Sequence, residues 1–352
     1  MTATTAILTG NGVRTVQASG LQARQVPFAA IPLIDFAPMY GSDPQARLAV
    51  GEAVRQACTQ VGFFYVQGHQ VPQAAIEQTF AAARQFFDLP LAAKQAVDVA
   101  YSANLRGYTP MLGENTDEDA HGDLHEGFDL ALELSADDPD VRAGVFGYGP
   151  NQWPAEMPTL RPALLTYHGH MLDLGRHIFR AFALALELPE DYFAAYIHKP
   201  MAHMRVLAYP SQDGEIDERQ IGIGAHSDYE CFTMLCTDEV AALQVLNSAG
   251  EWIQAPPLPG CFIVNVGDLM ARWTNDYFAS TLHRAINRSG RQRYSIPFFF
   301  GPDSHSLIEV LPSCQGPDWP AKYPPIRSGD YIRSRFDSTY SHRQTDTDPA
   351  AQ

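Results

Sequence analysis

The sequence predicts an α+β fold in which a helix-rich first half precedes a β-rich second half. Residues 44–60, 72–88 and 159–187 carry apolar side chains at helical spacing, which predicts three amphipathic helices. From residue 201 onward, short β-like runs such as HMRVLAYP and CFIVNVGDL alternate with turn residues. Many short strands separated by regular turns predict an antiparallel sandwich or barrel.

The remaining elements follow from local composition. Residues 31–36 (IPLIDF) and 61–69 (VGFFYVQGH) are apolar and rich in β-forming residues, so we expect two strands there. Residues 101–128 are rich in glycine, acidic and aromatic residues, which predicts a long irregular loop. Loops of that length often serve as lids or binding segments. Residues 190–197 predict a short helix that precedes the β-rich half.

Charge and composition exclude several classes of protein. The formal net charge is −16, and a field of that sign repels phosphate backbones, so we expect no nucleic-acid partner. No apolar run reaches the about 18 residues that a membrane span requires, and the first 20 residues lack a secretory signal. The five cysteines form no CxxC pair, which favours free thiols in a reducing compartment. We therefore expect a cytoplasmic protein, and we expect it to be a monomer or weak homo-oligomer.

The motif His226-Ser227-Asp228 carries the most specific chemistry in the chain. Residues two apart in a strand project to the same face, so the imidazole and the carboxylate point into one cavity. His283, on a later strand-like run, is the candidate third ligand. Two histidines and one carboxylate on one face of a metal form the non-haem iron(II) arrangement, which leaves coordination positions open. The His-x-Asp pair alone is weak, because a single histidine on a strand more often has a structural role.

Arg293-Tyr294-Ser295 strengthens the iron hypothesis. The same i, i+2 geometry places a guanidinium and a hydroxyl on one face, where both can donate hydrogen bonds to the same carboxylate. The alternative for Arg293 is a surface salt bridge. However, Arg293 opens one of the most apolar runs in the chain, and a buried arginine requires an anionic partner. A zinc hydrolase also uses two histidines and a carboxylate, but it has no need of this Arg-x-Ser pair.

These motifs resemble those of the Fe(II)/2-oxoglutarate-dependent dioxygenases, specifically the isopenicillin N synthase-like branch. The stretch 265–300 is most similar to microbial members such as thymine 7-hydroxylase. The blocks HMRVLAYP and GIGAHSDY are also similar to the ethylene-forming enzyme. The resemblance covers most of the chain, and its matches occur in order: PLIDF, VGFFYVQGH, LRGYTP, HEGFDLA, HMRVLAYP, GIGAHSDY, NVGDLMARWTND, STLHRA and RYSIPFF.

The resemblance implies a double-stranded β-helix (jelly roll) with an N-terminal helix-rich domain packed against it. The expected organisation is a flexible tail over 1–28, an N-terminal dioxygenase domain with a substrate-side loop over 29–150, supporting helices over 151–200, the jelly-roll domain over 201–305, a C-terminal segment over 306–340 and a disordered tail over 341–352.

The resemblance also implies the roles of individual residues. The expected iron(II) ligands are His226, Asp228 and His283. The expected ligands of the 2-oxoglutarate co-substrate are Arg293, Ser295, Tyr209 and Arg205. Arg205 matches an arginine of the ethylene-forming branch, and an ion pair on the barrel wall is an equal alternative for it. Many plant members have asparagine where this chain has Leu207, so one polar contact to the co-substrate is missing or comes from elsewhere.

The implied reaction consumes 2-oxoglutarate and O₂ and releases succinate and CO₂, while a small organic metabolite is hydroxylated, desaturated or cyclised. One alternative is fragmentation of 2-oxoglutarate itself, as in the ethylene-forming branch. Another is a non-catalytic sensor of 2-oxoglutarate or iron, although the complete ligand set argues against a decayed site.

The metabolite itself is expected to contact the loop region and the barrel mouth. Two alternatives stay open: Phe232 and Phe298 are simply part of the core, and Glu126 pairs with Arg106 instead of binding substrate. The candidate substrate residues are Arg106, Tyr108, Glu126, Phe128, Phe232 and Phe298.

Overall fold

Two β-sheets face each other in this protein, and helices cover the outer face of the larger sheet. The computed structural model describes residues 4–17, 31–115, 122–212 and 220–344. The helices are α1 Pro44–Gln60, α2 Gln73–Phe87, α3 Leu91–Gln95, α4 Pro139–Arg142, α5 Leu160–Ala185, α6 Asp268–Trp273 and α7 Ser328–Gln344. Short 3-10 turns lie at Ala37–Tyr40, Val99–Tyr101, Tyr192–Tyr196 and Pro312–Cys314.

The strands form one large sheet, one small sheet and two isolated pairs. The large sheet has the order β3-β4-β12-β9-β14-β7-β6-β5 and the small sheet β11-β10-β13-β8, antiparallel except where β3 meets β4. The strands are β1 Thr4–Thr9, β2 Gly12–Gln17, β3 Leu33–Asp35, β4 Phe63–Gln67, β5 Gly107–Thr109, β6 Glu126–Leu130, β7 Pro200–Tyr209, β8 Ile223–His226, β9 Phe232–Thr237, β10 Leu243–Leu246, β11 Trp252–Gln254, β12 Phe262–Val266, β13 His283–Ala285, β14 Arg293–Asp303, β15 Leu307–Ile308 and β16 Ile326–Arg327.

Helix α5 covers the outer face of the large sheet. Its buried side chains recur at helical spacing, as the sequence predicts. Phe179 of α5 packs edge-on against Phe232 and Phe300 of the sheet, with ring centroids 5.1 and 5.6 Å apart. Gly175 is required at this crossing, because a Cβ there would lie 2.3 Å from the Phe300 ring. Each fully buried phenylalanine contributes roughly 1.5–3 kcal/mol, so this aromatic layer fixes the outer face of β14 and β9.

The inner face of the large sheet meets the small sheet across an interior that is partly apolar and partly polar. Phe63 and Tyr65 of β4 pack with Leu243 and Val245 of β10, which closes one end of this interior. At the other end the inner face carries polar side chains. Because side chains alternate along a strand, Arg293 and Ser295 project inward while Phe298 and Phe300 project toward α5.

The arrangement is a mixed α/β fold with a large β-sheet, consistent with the predicted jelly roll. Helix α1 spans the predicted residues, and α2 and α5 differ from their predictions by at most two residues at an end. The loop predicted over 101–128 is wrong in part, because β5 lies within it, β6 begins within it, and both strands extend the large sheet. Among the described residues, no helix is both long and apolar enough to cross a bilayer.

Both predicted tails are wrong in part. Residues 4–17 form an antiparallel hairpin of β1 and β2 instead of a flexible tail over 1–28. The hairpin is ordered by contacts with the core that its polar composition did not reveal, including a hydrogen bond from the Gly10 amide to Asp268. At the other end, α7 continues to Gln344, so residues 341–344 are helical. The rest of both predicted tails, residues 1–3, 18–28 and 345–352, lies outside the described residues.

Candidate active site

Two histidines and an aspartate meet between the sheets. His226 ends β8 and His283 begins β13, and the two residues are direct partners in the antiparallel register. Asp228 lies two residues after His226, and its Oδ1 is 3.6 Å from the Nε2 atom of each histidine. The three potential ligand atoms all lie within 4.8 Å of one another. This donor set of two imidazoles and one carboxylate suits a divalent iron ion.

Backbone carbonyls orient both imidazole rings. The Nδ1 of His226 lies 2.8 Å from the carbonyl oxygen of Gly224, and the Nδ1 of His283 lies 3.2 Å from that of Thr281. A carbonyl only accepts, so each Nδ1 carries a proton and each Nε2 is directed at the centre of the site. Such contacts fix the tautomer of a metal-binding histidine.

The carboxylate is oriented by two polar side chains of the large sheet. Asp228 Oδ2 accepts hydrogen bonds from Thr233 Oγ1 of β9 at 2.5 Å and from Asn265 Nδ2 of β12 at 2.7 Å. Both donors project inward because they are direct partners across the two strands. With Oδ2 engaged in this way, Oδ1 remains directed at the two imidazoles.

The electrostatics of the triad favour binding of a cation. Burial opposes the charged carboxylate, but His283 and His226 outweigh it and hold the pKa of Asp228 well below its usual range. Burial, helped by the neighbouring His226, lowers the pKa of His283 to about 4. At neutral pH the site therefore offers an ionised carboxylate and at least one neutral imidazole, which are the forms that bind a metal ion.

A buried guanidinium lies on the same inner face. Arg293 opens β14, is 2% exposed, and its Nε and Nη1 atoms have no hydrogen-bond partner among the described residues. Its guanidinium carbon lies 4.6 Å from the centre of the Tyr209 ring, and the Ser295 hydroxyl donates to the Tyr209 hydroxyl at 3.3 Å. Buried donors without acceptors are costly, so these two nitrogens mark a position that suits an anion such as a carboxylate.

A glycine allows the tyrosine to reach this position. A Cβ on Gly222 would lie 3.0 Å from the Tyr209 ring and 2.9 Å from the Ala285 carbonyl oxygen. Glycine therefore lets the chain that leads into β8 pass close to β13 and to the tyrosine. The His125 ring lies on the other side, 5.6 Å from Tyr209 between centroids. The pocket around Arg293 is thus enclosed by tight backbone packing.

Comparison with known proteins agrees with this geometry. Residues 31–156 match the model of the N-terminal region of non-haem dioxygenases in morphine synthesis, and residues 200–302 match that of the 2OG-Fe(II) oxygenase superfamily. The chain belongs to the 2OG-Fe(II) oxygenase superfamily. Members of this superfamily depend on Fe(II), 2-oxoglutarate and O₂, and this protein is accordingly a 2-oxoglutarate- and Fe(II)-dependent oxygenase.

Individual relatives match over most of their length. The 2-oxoglutarate-Fe(II) type oxidoreductase hxnY of Emericella nidulans is 38% identical over 90% of this chain and 92% of its own. A homoarginine-6-hydroxylase of Glycine max is 37% identical, covering 81% and 89%. The solved structure of Neurospora crassa thymine 7-hydroxylase with α-ketoglutarate and thymine has a TM-score of 0.77 at 29% identity, covering 88% and 97%.

Arg205 of this oxygenase lies in an ion-pair network. It shares the inner face of β7 with Tyr209, but its Nε contacts Asp129 Oδ1 at 2.8 Å and its Nη2 contacts Glu114 Oε1 at 2.7 Å. His203, one alternation further along β7, contacts the same Asp129 carboxylate at 2.7 Å. The ion-pair alternative for Arg205 is therefore present in the structure, and its predicted contact with the co-substrate stays a prediction.

Three of the predicted substrate residues face away from the triad. Phe128 packs edge-on against Phe86 of α2, with centroids 4.7 Å apart. Glu126 binds Lys94 Nζ at 2.7 Å and accepts a short hydrogen bond from the Tyr108 hydroxyl. Substrate contact by Tyr108, Glu126 and Phe128 is therefore contradicted. The physical reason is that residues 126–130 form a strand, so its side chains alternate and these lie on the helix side.

The predictions for Phe232 and Phe298 are also contradicted, whereas the substrate contact of Arg106 stays a prediction. Phe232 packs against Phe179, and Phe298 packs 4.9 Å from the His168 ring, so both belong to the layer beneath α5. Arg106 is 3% exposed and donates to backbone carbonyls, including that of Gly147 at 2.7 Å. Among the described residues it does not pair with Glu126, since Glu126 pairs with Lys94. Its link to the inner face is a 3.2 Å contact with His203.

Sequence reasoning missed several residues that the inner face brings together. A recognisable signal marks those on strands, because each is a polar or aromatic residue at an inward strand position. Glu114 and His125 lie between β5 and β6 and carry no such signal. Counting in steps of two from Arg293 would have found Phe299 in place of Phe298. The missed residues are Glu114, His125, Asp129, His203, Thr233, Asn265 and Phe299.

Proposed function

We propose that His226, Asp228 and His283 hold the Fe(II) ion, and that Arg293, Ser295 and Tyr209 hold the far carboxylate of 2-oxoglutarate. One observation carries the proposal: Arg293 is buried with two nitrogens unpaired among the described residues, on the same enclosed face as the triad. A guanidinium donates two parallel hydrogen bonds to a carboxylate, and a hydroxyl beside it adds a further hydrogen bond.

The bound Fe(II), with 2-oxoglutarate and O₂, supplies the oxidising chemistry that a polypeptide lacks. The chain supplies position and environment. Arg293 fixes one end of the co-substrate, which leaves its keto acid end to face the triad. The apolar residues at the closed end of the interior, including Phe63 beside the His283 ring at 5.3 Å, exclude water from the metal side.

The polar wall of the site supports a small polar metabolite as the prime substrate. Arg205, Glu114, Asp129 and His203 lie on the inner face, where the Arg205 guanidinium contacts both carboxylates and His203 contacts Asp129. Such a wall offers hydrogen-bond donors and acceptors to a polar molecule. Two similar proteins are named for, or solved with, small polar molecules: a homoarginine-6-hydroxylase, and the Neurospora crassa thymine 7-hydroxylase with thymine.

The test measures succinate in anaerobically iron-loaded protein that is exposed to O₂ and 2-oxoglutarate with a panel of small metabolites. We expect one compound to stimulate succinate formation, and His226→Ala and Arg293→Met to abolish that stimulation. His198→Ala, at an exposed histidine remote from the triad, is the matched control. No succinate with any compound, despite bound iron, would contradict the proposal. Ethylene in the headspace would instead support fragmentation of 2-oxoglutarate.

A further inference from the structure

A single buried carboxylate connects the chain segments that carry the metal ligands. Ser227 lies between His226 and Asp228, so its side chain projects away from the metal site, and its hydroxyl donates to Asp268 Oδ2 at 2.9 Å. Ser280, which precedes β13, donates to the other oxygen, Oδ1, at 2.6 Å. Asp268 is fully buried, and its own amide donates to the Asp228 carbonyl oxygen at 2.8 Å.

The tip of the N-terminal hairpin completes this cluster. The Gly10 amide donates to Asp268 Oδ2 at 2.7 Å, and the Asn11 side-chain amide donates to the Asp268 carbonyl oxygen at 3.0 Å. Arg14, on β2, donates a short hydrogen bond to the carbonyl oxygen of Ser280. The hairpin therefore contacts both the Asp268 carboxylate and the segment that leads into His283.

The fit of the hairpin tip is specific for glycine. A Cβ on Gly10 would lie 2.1 Å from the Tyr331 hydroxyl and 2.6 Å from Asp268 Oδ2. Tyr331 belongs to α7 and is 3% exposed, so it has little room to move. The tip is thus held between α7 and the carboxylate, and a larger residue must displace one of them.

The hairpin lies outside the part of the chain that defines the superfamily. The two matched models cover residues 31–156 and 200–302, so neither includes β1, β2 or α7. The contacts made by the hairpin therefore join a segment outside both matched regions to the segments that carry the metal ligands.

We propose that the N-terminal hairpin is a positioning element of the metal centre, which acts through Gly10 and Asn11 on Asp268. Asp268 holds Ser227 and Ser280 in fixed places, and these in turn hold the backbone that presents the three ligands. Outer contacts of this kind fix the orientation of metal ligands, and their loss typically weakens metal binding about 10–100-fold. This inference rests on the proposed ligand set.

The test is an anaerobic titration of the full chain with Fe(II) in the presence of 2-oxoglutarate. The charge-transfer absorption of the complex measures binding at each step. Gly10→Val, which forces the tip away from Asp268, is expected to raise the Kd for Fe(II) about tenfold or more. Asn11→Ala removes one hydrogen bond without a steric clash, and a several-fold increase is expected. Val13→Thr, at a 65% exposed position of the same hairpin, is the control and should leave the Kd unchanged.

Thermal unfolding of the metal-free proteins separates positioning from simple loss of stability. A lower Tm with an unchanged Kd for Fe(II) in either tip variant would overturn the proposal, because the hairpin would then only stabilise the fold. If Gly10→Val does not fold, Asn11→Ala decides alone. If the proposed set of iron ligands is itself wrong, a different result is expected: the His226→Ala variant should bind Fe(II) as tightly as the unaltered protein does.

Discussion

The guanidinium of Arg293 lies over the ring of Tyr209, 4.6 Å from its centre, and both side chains are almost completely buried. The ring attracts the cation, but it supplies no acceptor in the plane of the guanidinium. Two of the nitrogens therefore remain without a hydrogen bond among the described residues. The protein maintains a buried guanidinium with incomplete hydrogen bonding at this point, which supports the proposed binding of a carboxylate there.

Arg293→Met is expected to separate stability from co-substrate binding. Methionine removes the unpaired charge, so the metal-free protein should be as stable as before or more stable, by up to about 1–4 kcal/mol. Binding of 2-oxoglutarate should weaken about 10–100-fold, since hydrogen bonds to a charged group contribute about 1.5–3 kcal/mol. Urea unfolding and calorimetric titration with 2-oxoglutarate measure the two effects.

Arg291→Met is the matched control for this change. Arg291 is exposed and pairs with Glu239 at 3.3 Å on the surface, where such a pair contributes little. Neither unfolding nor co-substrate binding should change appreciably. A loss of stability in Arg293→Met would show that the guanidinium is paired within the free protein, contrary to the arrangement described above.

Thr233→Val is expected to weaken iron binding without a large change in packing. Valine has nearly the same shape but cannot donate to Asp228 Oδ2, so the carboxylate loses one of its two orienting hydrogen bonds. The Kd for Fe(II) should rise about 10–100-fold. Thr79→Val is the control, because Thr79 is also buried and bonds only to the Ala75 carbonyl oxygen within α2. Equal Kd values for the two variants would argue against the role given to Thr233.

The sequence predicted the metal triad and the Arg-x-Ser pair because both depend only on alternation along a strand. Once Arg293 is placed inward, every second residue of β14 follows, and Phe298 falls on the outer face. Its proposed substrate contact conflicted with this rule, and the structure bears out the rule. Helices α1, α2 and α5 were predictable because their apolar spacing extends over several turns.

Features that depend on distant partners were not predictable from the sequence. β6 lies in a stretch whose glycine and acidic residues indicate a loop, and it is a strand because β7 supplies its hydrogen bonds. The N-terminal hairpin has the same explanation: its tip binds Asp268, which is more than 250 positions further along the chain. No local pattern indicates such contacts, so tertiary context decides both segments.

Glu126→Ala is expected to destabilise the protein and to leave substrate affinity unchanged. Its carboxylate pairs with Lys94, and the side chains of Glu126 and Lys94 are only 18% and 8% exposed. Removal of the carboxylate therefore leaves the buried ammonium group of Lys94 without its anionic partner. Breaking such a pair costs about 3–5 kcal/mol. The double variant Lys94→Met with Glu126→Ala should recover most of that stability. Urea unfolding and the KM for the prime substrate measure the two effects, and a large rise in KM would restore Glu126 as a substrate residue.

His168 provides a pH-dependent prediction on the helix layer, away from the metal. It is 3% exposed on α5, and its Nε2 donates to the Ala202 carbonyl oxygen at 3.1 Å. Burial lowers its pKa from 6.5 to about 4. Below pH 6.5 the imidazole therefore binds a proton in the unfolded chain but stays neutral in the folded protein. The contribution of His168 to the free energy of unfolding should therefore fall by about 3 kcal/mol as the pH drops from 6.5 to 4.

The change His168→Gln isolates this contribution, because glutamine keeps a donor for the Ala202 carbonyl but does not titrate. Other titrations are common to both proteins, so the stability of the unaltered protein minus that of the variant should decrease by about 3 kcal/mol between pH 6.5 and 4. Above about pH 7.5 the difference should be constant, since the histidine is then neutral in both states. Urea unfolding of the metal-free proteins in half-unit pH steps measures the curve. Parallel curves across this window would mean that the buried imidazole protonates as readily in the folded protein as in the unfolded chain.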